Sequence, residues 1–191
     1  RTTVGYLVAL TFTQAAFFIW LGSSQPVFDL VYGKADWFAV MFSAGGVVQA
    51  VSFFSVGWFI NRYGAHRVAT ASIGVVLVLN VALVTFAARA GGQPGFWVWF
   101  ILMAASNVFI SMVTPTGLAL ALRPMGGIAG TAAGVIGACS MAGSAVLAAL
   151  VDARISTTVT PMAVGYLLFG LLALAAALWA RPEGHGPSER L

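Results

Sequence analysis

The sequence predicts an all-α, polytopic membrane protein with six transmembrane helices. Two observations predict this class. Hydrophobic residues make up 60% of the 191 residues and charged residues only 7%, and the apolar residues fall into six stretches close to the roughly 20 residues that a helix needs to cross a bilayer. Because a backbone in lipid must satisfy its own hydrogen bonds, each stretch is expected to be helical. The predicted spans are 4–28, 37–60, 68–88, 96–122, 128–151 and 162–179.

Short connections join these spans, so consecutive helices are expected to be antiparallel neighbours within one bundle over residues 1–180. Residues 181–191 are rich in Gly, Pro and charge, a composition typical of a disordered tail.

The first span carries polar and aromatic side chains three and four residues apart, at Gln14, Phe18, Leu21 and Gln25. Residues with this spacing share one face of a helix. An amide is costly in hydrocarbon unless it is paired, so this face is expected to point inward. Pro26 follows it and predicts a kink near the end of the span.

The second and fourth spans carry similar faces, with Gln49 and Phe53 on one and Asn107, Ser111 and Thr114 on the other. Two interpretations stay open for these side chains: they line a wet cavity, or they make ordinary hydrogen bonds between helices, worth about 0.6 kcal/mol each.

The third and sixth spans are the most uniformly apolar, over residues 73–86 and 167–178, which favours helices that face lipid. Asn80 interrupts the third, and we expect it to have a structural partner. A division into two triplets, each with a featureless third helix, is typical of inverted repeats in transporters.

Pro115 lies within the fourth span and predicts a kink there. The fifth span is rich in small residues, and its Gly130 and Gly134 form a GxxxG pair, which lets helix backbones approach closely. Static packing and a sliding contact against the second span are both open for this pair.

The basic residues divide unequally between the two sides of the membrane, six against three. By the positive-inside rule both termini are expected in the cytoplasm, and the net charge of +4 reflects this topology rather than nucleic-acid binding. One side carries Arg1, Arg62, Arg67, Arg123, Arg181 and Arg190, and the other carries Lys34, Arg89 and Arg154.

Enzyme and metal chemistry find little support in the sequence. Cys139 is the single cysteine, and His66 and His185 lie in a loop and in the tail. An intramembrane protease would need a histidine or a pair of acids within its spans, whereas Asp29 and Asp152 stand at predicted helix ends. We therefore predict no enzyme activity and no metal site.

The loop after the second span resembles the signature that the major facilitator superfamily carries between the second and third helices of each six-helix half. The signature reads Gly, three residues, Asp or Asn, Arg, one residue and Gly, and the matching residues are Gly57, Asn61, Arg62 and Gly64. The resemblance implies that these residues form a gating loop at the cytoplasmic side.

Two further segments resemble the Bcr/CflA-type drug/proton antiporters of that superfamily. Thr114, Pro115, residues 119–122, Pro124 and residues 129–132 resemble their tenth and eleventh helices, and residues 23–28 with 31–33 resemble their seventh. The resemblance implies the C-terminal six-helix half of a twelve-helix transporter, with the N-terminal half as its partner in the bilayer. The start of the first span directly after Arg1 is interpreted in the same way, as a fragment or a processed chain.

The resemblance also implies a bacterial inner-membrane protein that exports small amphipathic or cationic organic compounds by alternating access. A proton gradient drives such export, and no bound cofactor is expected. The family's cavity is lined by the first, second, fourth and fifth helices of each half. The residues assigned to it are Gln14, Phe18, Gln25, Gln49, Phe53, Asn107, Ser111 and Thr114.

Because no acid stands in the middle of a predicted span, we expect this half to supply substrate recognition and the other half to supply proton coupling. The alternative is a self-contained six-helix interaction or scaffold protein without transport activity.

Overall fold

A computed structural model describes residues 2–155 and 157–180, and the regular secondary structure of these residues is entirely helical. A π-helical turn, Val27–Val31, continues the first helix, and a 3-10 turn, Gly126–Ile128, precedes the fifth. The six helices are α1 (Thr2–Pro26), α2 (Ala35–Tyr63), α3 (Ala65–Arg89), α4 (Phe96–Leu122), α5 (Ala129–Asp152) and α6 (Thr160–Trp179).

All six helices are long and apolar enough to cross a membrane, which is the property of an integral membrane protein. The predicted all-helical class with six spans is therefore confirmed. The fourth helix has the predicted bounds, and the others extend beyond theirs by a few residues at one or both ends. Sequence hydropathy misses these ends because polar residues such as Asn61 and Arg62 continue a helix that has already left the most apolar stretch.

The first three helices, α1 to α3, and the last three, α4 to α6, make equivalent contacts with one another. The first helix packs against α5 and α6, and correspondingly α4 packs against α2 and α3. Corresponding helices of the two triplets are also in contact in the pairs α1–α4 and α3–α6. In this arrangement α1 and α4 occupy equivalent positions at the centre of the bundle, and α2 and α5 occupy equivalent positions at its edge.

Exposure follows the same pattern. In their most apolar windows α2 is only 11% buried and α5 22% buried, against 39% for α3 and 44% for α6. The uniformly apolar third and sixth spans each keep an exposed apolar face, for example at Val78 and Leu168, and that these faces contact lipid stays a prediction. Both spans bury another face against each other and against α4 or α1, and α2 and α5 carry the larger unpartnered surfaces.

Two polar contacts explain why helices of this composition pack in a fixed register. The Asn80 amide nitrogen donates to the Ser106 hydroxyl at 3.2 Å and joins α3 to α4, so the expected structural partner of Asn80 is present. The Ser144 hydroxyl donates to the Thr11 backbone oxygen at 2.7 Å and joins α5 to α1.

An aromatic cluster closes the end of the bundle where α1 ends and α2 and α4 begin. Trp99 is fully buried at its centre and contacts Trp20, Phe28 and Tyr32, with ring centroids 5.3–5.8 Å apart. At its rim the Lys34 ammonium lies 4.6 Å from the centroid of the Trp37 ring. The cluster fixes the adjoining ends of α1, α2 and α4, the three helices that carry the predicted polar faces.

Candidate functional site

A cavity of about 530 Å³ lies among four of the helices. It is lined from α1, α2, α4 and α5, and none of its lining residues belongs to α3 or α6. Gln14, Gln49, Ser111 and Met141 each lie within about one helical turn of the middle of their span. The lining consists of Gln14, Phe17, Phe18, Gly46, Gln49, Ala50, Phe53, Phe54, Ile110, Ser111, Thr114 and Met141.

Six of the eight residues that the sequence assigned to a cavity lie together in this lining. They come from three helices, which the sequence alone could not place side by side. They are Gln14, Phe18, Gln49, Phe53, Ser111 and Thr114.

Asn107 lies next to this cavity, in a narrower one of about 80 Å³ that shares Phe17, Gly46 and Gln49 with it. Its side chain is buried and already engaged. The amide nitrogen donates to the Met103 backbone oxygen at 2.9 Å, and the side-chain oxygen accepts a hydrogen bond from Tyr166. Asn107 therefore supports the cavity wall rather than presenting a free amide to the cavity.

Gln25 does not line either cavity, so its placement in the set is corrected. It lies exposed near the end of α1. The spacing from Gln14 puts it on the same helical face, but eleven residues at 1.5 Å each carry it about 16 Å further along the axis. The helical period therefore predicts the face of α1 on which Gln25 lies, but it does not predict how far along the helix axis the cavity extends.

The cavity wall is uncharged, and its polar groups differ in what they already bind. Gln49 donates to the Asn107 backbone oxygen at 3.3 Å, and Ser111 donates to the Val108 backbone oxygen at 2.7 Å. The Gln14 side-chain oxygen, in contrast, is buried and has no hydrogen-bond partner among residues 2–155 and 157–180. A buried acceptor of this kind is normally satisfied by a donor from water or a ligand.

Aromatic rings make up much of the remaining wall. Phe17 and Phe18 are partly buried on α1, while Phe53 is 48% exposed and Phe54 is 85% exposed on α2. Ring faces attract organic cations by about 0.5–2 kcal/mol per contact and also bind planar apolar groups. The cavity wall thus combines several aromatic surfaces with Gln14, whose buried side-chain oxygen has no hydrogen-bond partner among the described residues.

Two residues that matter at this site were missed from sequence. Met141 reaches the cavity from α5, where it stands among Ala, Gly and Ser and offers no polar signal. Tyr166 lies on the uniformly apolar α6, which we expected to face lipid, yet its hydroxyl donates to Asn107 at 3.1 Å. A tyrosine within an otherwise apolar span is the signal that would have indicated it, since a buried phenol needs a partner.

The predicted gating segment lies at the opposite end of the bundle from the aromatic cluster. Gly57, Asn61 and Arg62 are exposed on the last two turns of α2, and Gly64 alone separates α2 from α3. Gly64 has φ +85°, a conformation that glycine adopts more easily than any other residue. Arg62 lies 6.0 Å from the Tyr63 ring centroid.

The same end holds a second cavity of about 510 Å³, which contains Arg67 and Arg123 beside His66. The His66 ring nitrogen Nδ1 and the Tyr6 hydroxyl are 2.7 Å apart, which joins the α2–α3 turn to α1.

The two prolines have different surroundings. Pro26 ends the regular part of α1, and the π-helical turn Val27–Val31 follows it directly. Pro115 lies within α4, which continues as one α-helix from Phe96 to Leu122. The Thr116 hydroxyl donates to the Met112 backbone oxygen beside it. The predicted kink at Pro115 does not interrupt the helix.

Gly130 and Gly134 lie exposed on α5, and a Cβ built at either would meet no atom of the described residues within 4 Å. The GxxxG pair thus has no packing partner within the part of the chain that the structure describes, and close packing against another helix stays a prediction. The predicted tail, with His185, Arg181 and Arg190, and also Arg1 lie outside the described residues.

Comparisons with protein-family models, with curated proteins and with solved structures find no match for this chain.

Proposed function

We propose that this chain is the C-terminal six-helix half of a secondary transporter of the major facilitator type. In this proposal it works by alternating access together with an N-terminal six-helix half. Its substrates are small amphipathic or cationic organic compounds, and export is driven by a proton gradient. The proposed location is the bacterial inner membrane with both termini in the cytoplasm.

One observation carries the proposal: a cavity of about 530 Å³ lies at mid-span and is lined by the first and second helices of each triplet. Transporters built from inverted repeats bind substrate near the bilayer midplane, at the interface of the repeats. The similar packing of the two triplets supports the same interpretation. The large unpartnered faces of α2 and α5 supply a surface for the proposed partner half.

The wall chemistry supports the proposed substrate class. An uncharged cavity with aromatic faces and one unpaired amide acceptor in its wall suits a planar, weakly polar or singly cationic compound better than a sugar or a phosphate. A sugar needs many hydrogen-bonding groups, and a phosphate needs cationic or backbone N–H donors.

The proposed orientation follows from the distribution of Arg and Lys. Single cysteines replacing Lys34 and Ser188, in a Cys139→Ala background, provide a direct test. In intact cells an impermeant thiol reagent is expected to label the first and spare the second, and the reverse pattern would contradict the orientation.

Transport is tested with the full-length protein in cells that lack other efflux pumps, with ethidium as a planar cationic probe. Expression of the protein should lower ethidium accumulation, and a protonophore should abolish this effect. Gln14→Leu should change the relative export of ethidium and an uncharged dye, because it removes the unpaired acceptor from the cavity wall. Val78→Ala, on the exposed face of α3, serves as the matched control.

Unchanged dye accumulation with the protein present at the membrane would contradict the transport proposal. It would favour the alternative of a six-helix scaffold protein, for which the exposed α2 and α5 faces would serve as binding surfaces for other helices.

A further inference from the structure

One carboxylate packs against the side of α1. Asp152 is the last residue of α5, as the sequence indicates, and the Ser23 hydroxyl donates a hydrogen bond to its oxygen Oδ1. Ser23 is 3% exposed and lies about two helical turns inside the end of the first span at Val31. The carboxylate therefore lies beside a buried part of α1.

Gly22 makes room for this carboxylate. A Cβ at Gly22 would clash with the Asp152 oxygen Oδ2, so any side chain there would displace the carboxyl group from its position beside Ser23. The pairing of Gly22 and Ser23 thus forms a niche that fits one carboxyl group on the side of α1.

The carboxylate has no cationic partner among residues 2–155 and 157–180. Ser23 is its hydrogen-bond partner, and Arg154, two residues further on, is exposed and makes no ion pair with it. Towards the carboxylate α1 presents Gly22 and Ser23, which do not titrate. On α6 the titratable residue next to this contact is Tyr166, which follows Gly165 where α6 packs against Val151. A half-buried acid with one neutral donor and no counter-ion is suited to gaining and losing a proton.

Packing and hydrogen bonds lead from this niche towards the cavity. Asp152 and Tyr166 directly follow two residues at which α5 and α6 meet, since a Cβ at Gly165 would lie 2.9 Å from the Val151 side chain. The Tyr166 hydroxyl donates to the Asn107 side chain, and Gln49, which lines the 530 Å³ cavity, donates to the Asn107 backbone oxygen. A change of charge at Asp152 therefore occurs where α5 meets α6, next in sequence to buried polar groups that reach the cavity wall.

We propose that Asp152 is a proton-binding site in this half of the protein and that Tyr166 and Asn107 couple its protonation to the cavity. The carboxylate takes up one proton from water on one side of the membrane and becomes a neutral acid. Later in the transport cycle it releases that proton to water on the opposite side. The inference rests on the proposed transport function. It replaces the sequence-based expectation that the other half alone supplies proton coupling.

Infrared spectroscopy of the purified full-length protein in lipid tests the proton site without any transport assay. The difference spectrum between acidic and alkaline pH should contain a carboxylic-acid C=O band that Asp152→Asn removes. Asp36→Asn, which removes an exposed acid at the start of α2, should retain that band. A difference spectrum that Asp152→Asn leaves unchanged would overturn the proton site.

Ethidium uptake into proteoliposomes tests the coupling. Asp152→Asn should lose uptake driven by an imposed pH gradient and retain ethidium exchange without a gradient. Tyr166→Phe should keep the Asp152 infrared band yet weaken gradient-driven uptake. Gradient-driven uptake that survives in Asp152→Asn would overturn the coupling. So would loss of exchange in both Asp152→Asn and Asp152→Glu, because that result indicates a structural role.

These readouts separate the two proposals. If the wild-type protein moves ethidium in neither assay, the proposed function and the coupling fail together, while the infrared result still decides whether Asp152 binds a proton.

Discussion

The Tyr166 hydroxyl on α6 donates a hydrogen bond to the side-chain oxygen of Asn107 on α4, and both side chains are buried. Asn107→Leu removes the acceptor and leaves the phenol unpaired, which typically costs about 1–3 kcal/mol. We expect a lower thermal unfolding temperature for Asn107→Leu in detergent. Adding Tyr166→Phe should recover part of the loss because it removes the unpaired group. Additive losses in the double variant would show that the two side chains do not interact.

Gly5 permits a close contact between α1 and the C-terminal end of α6. A Cβ there would lie 2.5 Å from the Ala180 Cβ and 3.1 Å from the Ala176 backbone oxygen. Gly5→Ala must therefore move a helix backbone, and we expect a loss of about 1–3 kcal/mol in the free energy of unfolding.

Gly74→Ala on α3 is the matched control for Gly5→Ala, since a Cβ there meets nothing within 4 Å. This change is expected to be neutral or to stabilise the helix by up to about 1 kcal/mol. Equal effects of the two substitutions on denaturation in detergent would contradict the α1–α6 packing.

Tyr32, between the first two spans, is expected to make stability depend on alkaline pH. Burial raises the pKa of its phenol above the usual value of 10.0, and its hydroxyl donates to the Pro94 backbone oxygen at 2.9 Å. The native state therefore keeps the proton where the unfolded chain has lost it. The stabilisation is complete below about pH 10 and is lost as the pH rises towards the native pKa.

Unfolding temperatures of the wild type and Tyr32→Phe, measured from neutral to strongly alkaline pH, check this prediction. The wild type should lose more stability with rising pH than Tyr32→Phe. Parallel curves for the two proteins would show that Tyr32 ionises as readily in the native state as in the unfolded chain.

Arg62 is exposed at the end of α2, where its guanidinium lies near the ring of the neighbouring Tyr63. A surface substitution of this kind usually changes stability by no more than about 0.5 kcal/mol. We expect Arg62→Ala to slow ethidium export in cells while the amount of folded protein stays the same. Normal export at matched expression would mean that the loop serves topology alone, and loss of folded protein would indicate a structural role.

The sequence specifies this fold at the level of spans because the bilayer imposes length and hydropathy on each helix separately. It specifies packing less well. The third and sixth spans are apolar on all sides, so hydropathy cannot distinguish a face against lipid from a face against another helix. Their partial burial depends on close contacts such as Gly170 near the Leu77 side chain, which no periodicity reveals.

The candidate site was predictable where a polar side chain marks an inward face. Gln14, Gln49 and Ser111 meet in one cavity as their helical spacing indicates. The depth of the cavity along each helix was not predictable, and Gln25 was therefore wrongly assigned to its lining. The apolar residues that line the cavity were not predictable either, and Met141 was therefore missed. The position of Asp152 depends on the side chain turning towards α1, a tertiary contact between residues 129 positions apart.

The most direct test of the account is whether a substrate occupies the mid-span cavity. Single cysteines replace Gln14, Ser111 and Gln25 in the Cys139→Ala full-length protein, and a small thiol reagent labels each with and without ethidium. The account predicts that ethidium slows labelling at Gln14→Cys and Ser111→Cys, which line the cavity, and leaves Gln25→Cys unchanged. Labelling that ethidium does not alter at any position, or slows equally at all three, would contradict a substrate site in this cavity.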